Sequence, residues 1–185
     1  MRSFIAITLP DAVVEQLEDL QDGLRGATWS LSETFHITLA FLGDQPRRTL
    51  EDVDSHLIAL DATAFDLTLA SVGVFGQTRA SRSVHALVAE ASPLSRLQAK
   101  VETAVRAASV PLESRRYIPH VTLGRWKRGE VRSEELGAYL ADNMRFKSDV
   151  FKVSRFTLFH SELGRSGAVH TALAEYELSA NSARP

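Results

Sequence analysis

Pro119-His120-Val121-Thr122-Leu123-Gly124-Arg125 has a near twin in Phe35-His36-Ile37-Thr38-Leu39-Ala40-Phe41-Leu42-Gly43, with the two histidines 84 positions apart. Each copy reads apolar residue or Pro, then His, β-branched, Thr, Leu, and each reaches a Gly within a few residues. Alternation along a β-strand puts residues i and i+2 on one face. His36 and Thr38 therefore share a face, as do His120 and Thr122. The opposite faces carry Ile37 with Leu39 and Val121 with Leu123, which suits a core. One His-x-Thr in a chain of this composition would mean little; two with matching apolar partners are hard to reach by accident.

The segments around the pair repeat in type. Arg2 to Leu9 reads as a strand, and Pro10-Asp11 opens a helix with Val13, Val14, Leu17, Leu20 and Leu24 on one face, ended by Gly23 and Gly26. Trp29 to Leu31 is a short strand and Phe35 to Leu42 the first motif strand. Thr49 to Leu60 is a second helix. Phe65 to Ala70 alternates as a strand, and Ser83 to Ala89 is the next. Ser92-Pro93 starts a third helix, with Ser92 as N-cap, running toward Pro111. Tyr117 to Arg125 is the second motif strand, and Ser133 to Ala141 a short helix. Asp149 to Ser161 and Ala168 to Leu178 close the chain as strands around the turn Gly164-Arg165-Ser166-Gly167. The sum is an α+β fold with mostly antiparallel strands. Each half contributes strands, a helix and one His-x-Thr strand, so two lobes are expected to face each other across a cleft.

At 185 residues, 44% apolar and 24% charged, the chain fits one ordinary globular domain. It has no Cys, which removes disulfides, thiolate nucleophiles and Cys-based zinc sites. The apolar run Phe4 to Leu9 is too short for a signal peptide or membrane span, so a cytoplasmic protein is expected. The net charge of −2 argues against a general nucleic-acid coat. Basic residues nevertheless gather locally: Arg115, Arg116, Arg125, Lys127 and Arg128 in one stretch, Arg79 and Arg82 in another. A local basic rim on a near-neutral chain suits a few phosphates.

Two imidazoles flanking a phosphodiester can divide acid and base work between them. One takes a proton from water while the other protonates the leaving oxygen. Thr hydroxyls can donate to the non-bridging oxygens, and an Arg can neutralise the charge that builds there. This scheme needs no metal. A metal hydrolase is disfavoured, because neither motif holds a second close ligand, Asp or Glu. Arg125 is the obvious cation, but an unbroken strand would point it away from His120 and Thr122. A bulge or strand end at Gly124 is therefore expected, returning Arg125 to the cleft.

On these residues the chain resembles the two-histidine phosphoesterase superfamily, and within it the bacterial RNA 2′,3′-cyclic phosphodiesterases of the LigT/ThpR type, once named 2′-5′ RNA ligases. The likeness also covers Phe4 to Pro10, Gly73 to Gly76 and Phe156 to Leu163. It implies a single domain over 1–185 made of two intertwined lobes. Their antiparallel sheets are related by a pseudo-twofold axis, with helices on the outer faces and a central cleft. It implies a site that needs no cofactor or metal and hydrolyses a terminal 2′,3′-cyclic phosphate of RNA to a 2′-phosphate; a monomer is expected, with no membrane partner. His36 becomes the proton donor and His120 the proton acceptor, with Thr38, Thr122 and Arg125 on the phosphate. Tyr117, Phe41 and Trp126 are candidates to stack on a base, and Arg79 and Arg82 to meet the RNA backbone. His160 is a candidate to line the cleft. The family often carries an aromatic near position 170, where this chain has His170. His56 and His85 read as structural. Two alternatives stay open: 2′-5′ ligation at the same site, and a non-catalytic RNA- or nucleotide-binding module.

Overall fold

Burial follows the period of two expected for both motif strands. Ile37, Leu39, Val121 and Leu123 are at most 2% exposed, while His36, Thr38, His120 and Thr122 are only half-buried. The computed structural model describes residues 1–76, 81–114, 116–164 and 167–180. In chain order the elements are β1 (Arg2–Thr8), α1 (Asp11–Glu18), β2 (Thr28–Trp29), β3 (His36–Asp44), α2 (Arg47–Ile58), β4 (Phe65–Leu67), β5 (Leu69–Gly73) and β6 (Ser83–Val88). Then follow α3 (Ser92–Ala107), β7 (His120–Arg125), α4 (Ser133–Asn143), β8 (Phe151–Val153), β9 (Arg155–Gly164) and β10 (Gly167–Glu177).

The strands form two four-stranded antiparallel sheets, β10-β9-β1-β3 and β2-β7-β6-β5, plus a small β4-β8 ladder. Each motif strand pairs with a central strand of its own sheet, β3 with β1 and β7 with β6. The apolar strand faces join Val13 and Leu17 of α1, Val53 and Leu57 of α2, Leu97 and Val101 of α3, and Leu136 of α4 in one core. Helices thus cover the faces opposite the imidazoles. Burying each such side chain stabilises the fold by roughly 1.5–3 kcal/mol. Among the described residues no helix is long and apolar enough to cross a membrane.

Several boundaries differ from expectation, each for a tertiary reason. Helix α1 stops at Glu18 rather than near Gly23. Beyond it, Leu20 N bonds Leu17 O in a tighter turn, Tyr139 Oη donates to Leu20 O at 2.7 Å, and Gln21 Nε2 donates to Ser30 O and Leu123 O. The expected Phe65–Ala70 strand is two strands, because β4 pairs with β8 while β5 pairs with β6. The strand expected from Asp149 to Ser161 likewise divides at Ser154, whose carbonyl accepts the Leu178 N–H instead. Ser92 is not the N-cap of α3: Ala91 is, and the Glu90 carboxylate accepts the Ser92 N–H at 3.1 Å in its place. The second motif strand begins at His120, not Tyr117.

Candidate active site

Both motif strands carry a bulge at the same place. Along β7, His85 pairs with Thr122 but Val84 pairs with Gly124, so Leu123 is the extra residue. Along β3, Ala6 pairs with Thr38 but Ile5 pairs with Ala40, so Leu39 is the extra residue. The carbonyls at the bulges are met by glutamine side chains, Leu123 O by Gln21 Nε2 at 2.9 Å and Leu39 O by Gln98 Nε2 at 3.4 Å. One extra residue reverses the side-chain parity beyond it. Arg125, opposite Ser83, therefore shares a face with Thr122 and His85, and the bulge expected for it is present one residue earlier than Gly124. Gly124 has a separate reason to be glycine: a Cβ there would meet Trp29 Cε3 at 2.7 Å. In the first motif the same reversal puts Phe41, opposite Phe4, on the His36 face, 59% exposed.

The two histidines are held alike. His36 Nδ1 lies 2.7 Å from Thr34 O, and His120 Nδ1 lies 2.7 Å from Ile118 O. A carbonyl can only accept, so each Nδ1 carries the proton and donates it. In the neutral ring the basic nitrogen is then Nε2, the one turned away from the main chain. Tyr117, in the segment leading into β7, donates from Oη to Thr38 O at 3.1 Å and so ties that segment to the first motif strand. Burial raises the Tyr117 phenol well above the usual tyrosine range, which keeps it a donor.

The two halves sense each other electrostatically. Burial lowers His36 to a pKa of about 4; the Thr34 carbonyl opposes this, while His170, His120 and Arg125 add to it. His85 is lowered to about 3, by burial first and then by His120 and Arg125. The fields of His120 and Arg125 thus reach across to His36.

Four rings brace the pair. Phe4 lies 4.8 Å from His36 between ring centroids, and His170 meets His36 edge-on at 5.5 Å. Phe75 and His85 contact His120 edge-on at 4.7 and 4.5 Å. Burial also lowers His170. His85, which reads as structural in the sequence, and His170, where the family often carries an aromatic, thus both lie against a motif imidazole. The signal available for His85 was its odd-numbered place on a strand neighbouring the basic loop, and register alone converts that into contact with Thr122. His160 follows Phe159, whose ring stacks on Phe4 at 5.2 Å, so His160 lies on the opposite face from the imidazole pair. His56 is exposed on α2.

Trp126, expected as a stacking candidate, is instead buried in the core. Arg82 alternates away from Ser83 and lines a separate cavity with Trp126, Arg128 and Arg132. Arg79 and Arg115 lie outside the described residues. Among the described residues no group of three or more His, Cys, Asp or Glu is placed to hold a metal ion.

Thr122, His85 and Arg125 thus share one strand face, and His120 and Arg125 act on His36 from the other half of the chain. The chain is 30% identical over 179 residues to an RNA 2′,3′-cyclic phosphodiesterase of Geobacillus stearothermophilus, covering 92% of this chain and 55% of that protein. It spans only about half the length of that relative. A similarly named protein of Thermotoga maritima is 26% identical over 181 residues, covering 95% of this chain and 94% of its own. A crystal structure from Thermus thermophilus superposes with a TM-score of 0.78 at 26% identity, covering 98% of this chain and all of that one. Residues 9–165 match the sequence profile of the 2′-5′ RNA ligase superfamily, with both His-x-Thr strands inside the match, and the chain belongs to that superfamily.

Proposed function

We propose that this chain hydrolyses terminal 2′,3′-cyclic phosphodiesters of RNA to 2′-phosphomonoesters, without a metal. The observation that carries the reading is the matched pair of imidazoles, both with Nδ1 fixed on a carbonyl at 2.7 Å so that Nε2 is left as the working nitrogen, with the charge of His120 felt at His36. His120 Nε2 takes a proton from water as its oxygen attacks phosphorus in line. The P–O3′ bond breaks, and His36 Nε2 delivers its proton to the departing 3′ oxygen. The products are a 2′-phosphate and a 3′-hydroxyl, and solvent exchange restores both rings. Thr38, Thr122 and Arg125 hold the non-bridging oxygens, where charge accumulates.

His36 is lowered to about 4, by burial first and then by His170, His120 and Arg125. A bound phosphodiester anion supplies the missing counter-charge and raises the proton occupancy of His36. Substrate binding thereby loads the acid. Phe41, exposed on the same face as His36, offers a stacking surface for the terminal base. The relatives bearing the phosphodiesterase name agree with this chemistry. The imidazoles, hydroxyls and guanidinium all come from one chain, so a monomer suffices, acting on cytoplasmic RNA ends.

An oligonucleotide ending in a 2′,3′-cyclic phosphate, incubated with excess chelator, tests the proposal. A 2′-phosphate product is expected, and His36→Ala or His120→Ala should lose most of the rate. An unchanged rate in either variant refutes the assignment. Joined 2′-5′ products in place of hydrolysis would show that the same groups run in the ligation direction.

A further inference from the structure

The two lobes differ at one matched position. Opposite Thr38 on the neighbouring strand stands Ala6, but opposite Thr122 stands His85. This imidazole is 3% exposed, stacked on Phe75 at 4.4 Å and set edge-on to His120 at 4.5 Å. Both of its nitrogens meet hydroxyls: Nε2 lies 2.9 Å from Ser83 Oγ, and Nδ1 lies 3.3 Å from Thr122 Oγ1. We infer that His85 is a positioning residue that holds its proton on Nδ1 when an anion is bound, and so frees the Thr122 hydroxyl to donate to a phosphoryl oxygen.

A neutral imidazole has one N–H donor and one acceptor nitrogen, and a hydroxyl has one donor. With the proton on Nε2, His85 donates to Ser83 and Nδ1 must accept the Thr122 O–H. That arrangement leaves only lone pairs on Thr122 to face the cleft, and an anionic oxygen cannot use them. With the proton on Nδ1, His85 donates to Thr122 Oγ1, Ser83 donates to Nε2, and the Thr122 proton turns outward. An anion accepts only, so it selects this second arrangement. Charging the ring instead is disfavoured, because burial, His120 and Arg125 all oppose it. Thr38 faces Ala6 and has no such partner on β1, so the control acts on one side of the phosphate alone.

The identity of the anion rests on the phosphodiester reading above, but the tautomer can be read without turnover. In ¹⁵N-labelled protein at neutral pH, saturating inorganic phosphate should place the His85 Nδ1 resonance in the protonated range and Nε2 in the unprotonated range. The reverse pattern in the phosphate-saturated protein, or no binding of phosphate, overturns the inference.

The kinetic arm uses the cyclic-phosphate oligonucleotide. His85→Asn keeps an N–H donor near the Nδ1 position and should stay within about threefold of the parent. His85→Gln moves the donor to the Nε2 position, and it should lose about tenfold or more in kcat/KM, as His85→Leu should. In a Thr122→Val background, exchanging Asn for Gln at position 85 should change nothing further. Equal losses for Asn and Gln, or additive losses with Thr122→Val, refute the role. If the parent does not turn over the oligonucleotide, the proposed activity falls, while the phosphate titration still decides the case of His85.

Discussion

Lowering the pH from 7 to 5 should destabilise this fold through its buried imidazoles, and His85 gives the clearest magnitude. Its folded pKa is about 3, because burial, then His120 and Arg125, disfavour the charged ring. In the unfolded chain the ring returns to about 6.5. The depressed folded value means that the unfolded state binds more protons, so stability is complete above the unfolded pKa and is lost as pH falls below it. At pH 5 the unfolded ring lies about 1.5 units below its pKa and is charged, while the folded ring stays neutral. At about 1.4 kcal/mol per unit, His85 alone costs the fold about 2 kcal/mol. This figure is insensitive to the folded value, since pH 5 lies far above it. Urea unfolding at pH 7 and pH 5 reads the loss directly. Changing His85 to Gln removes the titrating ring, so the variant should lose about 2 kcal/mol less than the parent over this interval. His36 and His170 contribute in both proteins and cancel in the comparison. If parent and variant lost equal stability within about 0.5 kcal/mol, His85 would not be a desolvated neutral ring, and the geometry drawn around it would be wrong.

The remaining predictions concern the cleft and its supports. Gly124→Ala sets a methyl 2.7 Å from Trp29 Cε3 and 3.3 Å from Thr28 O, and it should cost about 1–3 kcal/mol, read as a lowered Tm. The profile of kcat/KM against pH should be bell-shaped, with its acidic limb at least about one unit below the ordinary histidine value, since His36 is lowered to about 4 in the free protein. An acidic limb at or above the ordinary value would contradict the burial of His36. Phe41→Ala should raise KM by about fivefold or more with little change in kcat or Tm, because the ring is 59% exposed and its proposed work is stacking. Prolonged dialysis against chelator should leave the rate unchanged, and restoration by an added divalent ion would argue for a metal-dependent site.

Much of this architecture was legible in local pattern. Alternation in His36-Ile37-Thr38-Leu39 and in its twin assigns each side chain a face, because strand geometry has a period of two wherever the strand lies. Helical spacing located all four helices to within a few residues, and a missing parity at Arg125 was enough to require a bulge. What local pattern could not supply was any fact set by a partner distant in the chain. The end of α1 is fixed by Tyr139 and Ser30, and the split of the strand at Thr68 by two different neighbours, β8 and β6. The bulge sits at Leu123 because of how β7 meets β6, and its twin at Leu39 could be seen only once β3 was paired with β1.

The same division holds at the site. Residue chemistry nominated His36, His120, Thr38, Thr122 and Arg125, since few side chains can move protons at neutral pH or hold a phosphate. Pairing register decided that His85 lies under Thr122 and that His170, not His160, lies against His36. Sequence therefore determined which groups could act and which faces they occupy, through short-range stereochemistry. Tertiary structure decided which of them meet, because contact across strands depends on a register that a single inserted residue can reverse.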